Sequence, residues 1–96
     1  MQNLLIIGAG RSATALINYI LEQARQYNFF VTVGDADMAL AQQKINGHPN
    51  GRAIWLDASK PNDRKDIINR HDVIVSLLPP QMHLDVAQDC IVLGKH

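Results

Sequence analysis

The sequence predicts an α/β fold, a doubly wound parallel sheet running through about four strand–helix units, and three observations carry that expectation. Short apolar runs recur at 4–7, 29–33, 53–56 and 73–75. They lack polar alternation and are rich in β-branched or aromatic residues, the pattern of strands buried on both faces. Each run is followed by a stretch of apolar residues at helical spacing, and strand–helix repetition demands right-handed crossovers within one sheet.

The first strand, Leu4-Leu5-Ile6-Ile7, leads into a helix over 12–26, where Ala13, Leu16, Ile17, Ile20, Leu21 and Ala24 form one apolar stripe. After the second strand, a helix over 37–45 takes Asp37 as its N-cap and stops at Asn46-Gly47, which tolerate left-handed backbone. Its buried side is Met38, Leu40, Ala41 and Ile45. The turn formers of 46–51 make a loop. Past the third strand, Pro61 suits the first turn of a helix that carries Ile67 and Ile68 and ends near Arg70-His71. After Pro79-Pro80, a fourth helix over 82–93 presents Leu84, Ala87 and Ile91, with Val86 and Cys90 beside them, and Gly94 terminates it.

The 96 residues set the limit at one domain, and a hydrophobic share of 47% is that of a folded globular chain. Nine Lys and Arg balance nine Asp and Glu, so no basic field awaits nucleic acid or an anionic membrane. The one cysteine forms no internal disulfide, and the four histidines lack zinc-ligand spacing; the chain reads as cytoplasmic. The run at 4–7 is too short for a signal sequence or a membrane span. Strands start about 20 to 25 residues apart, so a fifth is due just past His96. The expectation is an amino-terminal fragment whose fourth strand is left as an open sheet edge, available for homo-oligomer formation.

Gly8-Ala9-Gly10-Arg11-Ser12-Ala13 follows the first strand and opens the first helix, the G-x-G-x-x-A pattern of a Rossmann-type dinucleotide turn. Gly8 permits the tight bend, Gly10 has no Cβ to obstruct a diphosphate, and Ala13 lets the helix lie close on the strand. Helix-start amides and the macrodipole, about half a positive charge, then face the anion. Arg11 and Ser12 either contact phosphate or are exposed helix-start residues.

The second strand ends at Gly34-Asp35, and Asp35 falls 22 positions after Ala13, the separation expected of the acid that binds the adenosine ribose. A carboxylate there repels the ribose phosphate of NADP, and Ala36 stands where an arginine would reverse that choice. NAD is therefore expected in preference to NADP. Asp57 ends the third strand either as an adenine contact or as a turn acid, and Ala58 leaves room for the ring. Leu77, Leu78 and Pro79 follow the fourth strand, either as a wall near the nicotinamide half or as a plain connection. His83 is read as solvated or structural, His48 and His71 as solvent-facing, and Cys90 and Trp55 as core. No carboxylate pair, metal cluster or nucleophile triad appears in the sequence.

The glycine turn, Val31-Thr32-Val33 before Asp35, and especially Val73-Ile74-Val75-Ser76-Leu77-Leu78-Pro79-Pro80 with His83, then Val86-Ala87, Cys90-Ile91 and Gly94-Lys95-His96, resemble the amino-terminal part of the saccharopine dehydrogenase family. The resemblance spans essentially the whole chain. It implies NAD(P)-dependent oxidoreduction at a carbon–nitrogen bond, with a further strand and a substrate domain following His96. Ser12-Ala13 departs from the small apolar residue and glycine of many relatives. Two other readings are a regulatory NAD-sensing module without catalysis and an S-adenosylmethionine-dependent methyltransferase; Ile6-Ile7 before Gly8 and the immediate long helix disfavour the latter.

Overall fold

The computed structural model describes residues 2–10, 13–78 and 80–96, with the backbone alone at 80–83. The chain order is β1 (Gln2–Ile7), α1 (Thr14–Gln26), β2 (Phe29–Asp35), α2 (Met38–Ile45), β3 (Gly51–Trp55), α3 (Pro61–Asn69), β4 (Val73–Ser76) and α4 (Pro80–Leu93). All pairings are parallel and the strand order is β3-β2-β1-β4. The winding reverses between β1 and β4, the place where open sheets of this kind leave a ligand crevice at the carboxyl ends of their strands.

The unbroken apolar runs follow from burial on both faces. Successive strand side chains point to opposite faces. Leu4 and Ile6 of β1, with Val31 and Val33 of β2, pack on Ile17, Leu21 and Ala24 of α1 and Ala41 and Ile45 of α2. Leu5 and Ile7 pack on the other face against Ile68 of α3 and Val86 of α4. Each large aliphatic buried this way contributes about 1.5–3 kcal/mol, so β1 is the most strongly held strand.

Local chemistry fixes the ends of the elements. Asp37 caps α2 by accepting from the Leu40 N–H at 3.1 Å, and Asn46 and Gly47 take the left-handed φ values of 49° and 71° that stop it. Pro61 opens α3. Helix α1 starts at Thr14, two residues after the expected 12. Strand β3 starts at Gly51, two before the expected 53, because Gly51 and Arg52 already pair with Val31 and Thr32 of β2; a Cβ at Gly51 would lie 2.8 Å from a Leu21 methyl. Pro80 begins α4, two residues before the expected 82, so it opens a helix instead of extending the loop.

Four sequence expectations need correction. The side of α4 expected to carry Leu84, Ala87 and Ile91 faces outward, with Leu84 64% and Ile91 79% exposed, because the helix turns Val86, Asp89 and Cys90 to the sheet. Trp55 is 56% exposed and not core, because β3 is the outermost of the described strands and none of them pairs with its other side. His71 is 2% exposed and not solvent-facing. Only Arg70, His71 and Asp72 join α3 to β4, so the ring folds back on α3 with Nδ1 2.8 Å from the Ile67 carbonyl. His48 is half-buried, and its Nδ1 accepts from the Asn50 N–H inside the α2–β3 loop.

Strand β4 is the outer strand of the described sheet on that side, but its edge is not wholly open as expected, since the Ile74 N–H donates to the His96 carbonyl at 2.6 Å. No helix among the described residues is long and apolar enough to cross a membrane.

Burial pushes the His71 imidazole below its ordinary pKa; Arg52 and Lys95 act in the same direction, while the Ile67 hydrogen bond and Asp72 oppose it. The unfolded chain therefore takes up a proton near pH 6.5 that the folded chain refuses. The resulting stability is present above that pH and is lost as pH falls through the lowered folded value. Denaturant unfolding at pH 7.5 and 5.5 should show wild type losing stability over this interval and His71→Gln losing less.

Candidate functional site

The chain leaves β1 through a bend at Gly8-Ala9-Gly10. Gly8 has φ +101°, which side-chain-bearing residues rarely adopt, and a Cβ there would lie 3.1 Å from the Leu77 carbonyl oxygen. Glycine is thus required both for the turn and for the close passage of the β4–α4 connection. The Gly8 N–H donates to the Gly34 carbonyl and the Leu77 N–H to the Ile7 carbonyl, both at 2.8 Å, which fastens the bend to its neighbours on either side.

Ala9 is fully buried, and Ala13, 2% exposed, joins the α1 core as its small size allows. Gly10 is exposed, and among the described residues a Cβ there would meet nothing within 4 Å. This clear approach to the backbone fits the place expected for a diphosphate. Ala13 gives α1 no side-chain cap, and the first turn holds no acidic residue, so the positive end of the helix has no carboxylate of its own there. Helix α2, capped by Asp37, differs in this respect.

Asp35, at the end of β2, faces this bend. Its Oδ2 accepts from the Ala9 N–H at 2.7 Å and its Oδ1 from the Asp37 N–H at 2.8 Å. An ionised carboxylate offers about four lone-pair sites, so both oxygens keep capacity for a ligand's hydroxyls.

Asp57 is a turn acid. Its Oδ1 accepts from the Ser59 hydroxyl at 2.6 Å and the Ser59 N–H at 3.0 Å. The hydroxyl bond first and the amide bond second hold its carboxyl below the usual carboxylate range. It also lines the cavity beside Asp35, so its turn role does not remove it from the site.

That cavity, about 200 Å³ in volume, brings together Gly8, Asp35, Asp57, Ala58 and Leu78 from among the residues singled out in the sequence. Ile7, Gly34, Ala36 and Leu56 complete its wall. Leu77 lies over Gly8 and packs with the α1–α2 core, while Leu78 packs with the α3–α4 core, so the two leucines divide between the faces. Arg11, Ser12 and Pro79 lie outside the described residues, as does the side chain of His83. Two larger hollows, about 250 Å³ beside Asn18 and Lys44 and about 300 Å³ beside Asp63 and Asp66, are not lined by the glycine bend.

Sequence reasoning missed Ala9, whose N–H holds Asp35, and Gly34, where a Cβ would lie 3.2 Å from Leu56. The glycine directly before the acid was the available signal for the second. Among the described residues no group of three or more His, Cys, Asp or Glu is placed to hold a metal. Burial, and then the charge of Asp89, pushes the Cys90 thiol up, away from the reactive thiolate.

The two bend glycines should therefore separate stability from binding. Gly8→Ala should lower stability by about 1–3 kcal/mol, since it puts strain into a left-handed position. Gly10→Ala should change stability by no more than about 0.5 kcal/mol and still weaken dinucleotide binding. Thermal unfolding and titration calorimetry on the two variants check this contrast.

Comparison with known proteins agrees with this geometry. The family described as Saccharopine dehydrogenase NADP binding domain matches residues 4–96. The chain is 32% identical over its full length to Saccharopine dehydrogenase [NADP(+), L-glutamate-forming] of Schizosaccharomyces pombe, of which it spans 21%. It is 36% identical over 56 residues to Alpha-aminoadipic semialdehyde synthase of Arabidopsis thaliana, covering 58% of this chain and 5% of that protein. Among solved structures, apo saccharopine dehydrogenase (L-Glu forming) from Saccharomyces cerevisiae superposes with a TM-score of 0.85 at 26% identity, over 99% of this chain and 20% of that one. A Rossmann-fold NAD(P)-binding family protein from Shigella flexneri shares the fold at a TM-score of 0.75 and 22% identity, over 99% and 48% of the two chains. The chain belongs to the saccharopine dehydrogenase NADP-binding-domain family, a nicotinamide-dinucleotide-binding domain of Rossmann type.

Proposed function

We propose that this chain binds the cofactor of a saccharopine dehydrogenase-like oxidoreductase, and that the cofactor is NAD in preference to NADP. The observation that carries this reading is the 200 Å³ cavity in which the Asp35 carboxylate stands beside the Gly8–Gly10 bend. The open face of Gly10 and the start of α1, whose first turn holds no acidic residue, would receive the diphosphate, Asp35 the adenosine ribose, and Leu56, Asp57 and Ala58 the adenine. The bound nicotinamide would supply hydride transfer, and this chain's residues orient it and keep its adenosine half out of water.

The relatives are several times longer than this chain. Hydride transfer needs a substrate held against the nicotinamide, and that task falls to a substrate domain beyond these residues. The family resemblance implies a substrate that is an amino acid carrying a secondary amine: hydride passes from the carbon bearing that amine to the nicotinamide, and water opens the resulting imine; the fission-yeast relative is named as L-glutamate-forming. A lone cysteine without a disulfide partner fits a reducing compartment such as the cytoplasm.

A second reading, NADP as the cofactor, is favoured by the family description and by the name of the fission-yeast relative. Asp35 argues against it. A ribose phosphate about 4 Å from a carboxylate costs about 1–4 kcal/mol per charge pair, depending on the effective dielectric, or roughly 5- to 1,000-fold in affinity. Calorimetry with both dinucleotides should show NAD binding at least about fivefold tighter. Asp35→Asn, which drops the charge and keeps an acceptor, should narrow the gap. Tighter binding of NADP by wild type would establish the second reading, and binding of neither would overturn both.

A further inference from the structure

We infer that Arg64 is a positioning residue for the adenosine side of the cavity, through a buried bridge that runs from α4 to the wall at Ala58. This deepens the dinucleotide-binding reading and rests on it.

Helix α3 is polar along most of its length, yet Arg64 is 6% exposed, and its partner Asp89 on α4 is 4% exposed. The guanidinium Nε donates to Asp89 Oδ2, and Nη1 donates to the Ala58 carbonyl at 2.9 Å. A guanidinium is a rigid planar fork, so fixing one edge on Asp89 fixes the direction of the donor that meets Ala58. Ala58 lines the cavity between Asp57 and the start of α3. The loop is tied to the sheet at its near end, where the Leu56 N–H donates to the Asp35 carbonyl at 3.0 Å. The Asp57–Ser59 bonds are local to the loop and fix its shape without fixing its place. Ala58 also packs in the α3–α4 core with Ile68 and Val86, and the Arg64 bond is the polar tie that adds a direction to that contact.

Stability alone is a poor reason for this bridge. Two charges taken out of water lose about as much as their attraction returns, and buried ion pairs are often replaceable by apolar residues without loss. A planar donor aimed at one carbonyl provides what an apolar contact does not: a defined position for that peptide. That position decides whether an adenine ring fits between Ala58 and Asp35.

The test uses this chain with Arg64→Met combined with Asp89→Leu, which removes both buried charges together, and with Arg64→Lys, which keeps the charge but loses the fork. The probe is adenosine 5′-monophosphate, followed by calorimetry, with ¹H–¹⁵N spectra recorded alongside. The double variant should melt cooperatively, bind the nucleotide about tenfold more weakly, and shift the amide signals of Ala58 and Ser59 while those of Gly8 and Gly10 stay in place. Arg64→Lys should also bind it more weakly. Wild-type affinity in a folded double variant, or unmoved Ala58 and Ser59 signals, would overturn the inference alone. If the double variant does not fold, Arg64→Lys decides by itself, and unchanged affinity there overturns the inference. A wild-type chain that binds no adenine nucleotide would overturn the dinucleotide reading and this inference together.

Discussion

The carboxylate of Asp35 joins two segments that the chain brings to the same edge from different strands. One oxygen holds the amide of Ala9 in the bend after β1, and the other holds the amide of Asp37 at the start of α2. Hydrogen bonds to an ionised group are worth about 1.5–3 kcal/mol each, more than a neutral bond contributes. Ala9 is fully buried, so an amide left without this acceptor would carry a desolvation penalty of about the same size. The acid expected to meet a sugar thus also shapes the bend expected to meet the diphosphate. Changing it alters both halves of the site at once.

Everything that positions this edge follows from burial of β1. Its side chains alternate between two helical layers, and its pairing with β2 and β4 brings the ends of three strands side by side. Past Ser76 the chain sends Leu77 to one layer and Leu78 to the other, which anchors the β4–α4 connection over Gly8. With both neighbouring connections fixed, the bend lies between walls that do not need a ligand to form.

Much of this was legible in the sequence because each feature is local. Apolar runs, the Asn46-Gly47 stop, the Asp37 cap and the glycine turn each depend on a few neighbouring residues, and the spacing to Asp35 depends only on one helix and one strand. What was hidden depends on tertiary neighbours. Trp55 reads as core on its own strand, and only the strand order reveals that β3 is an edge. His71 reads as a helix-end residue, and only the three-residue step into β4 buries it. Arg64 and Asp89 look like surface charges in their helices. Yet Arg64 stands four residues before Ile68 and Asp89 three after Val86, on the buried sides of α3 and α4. Opposite charges on two apolar stripes are the pattern that could have exposed the pair.

The central claim, that Asp35 and the glycine bend form one binding surface, is tested most directly by a crystal structure of this chain grown with NAD. The account predicts the adenosine ribose hydroxyls on the Asp35 carboxylate, the adenine against Ala58, and the diphosphate across the open face of Gly10. A dinucleotide seated elsewhere, for example in the hollow beside Asn18 and Lys44, or bound with Asp35 touching no part of it, would contradict the account.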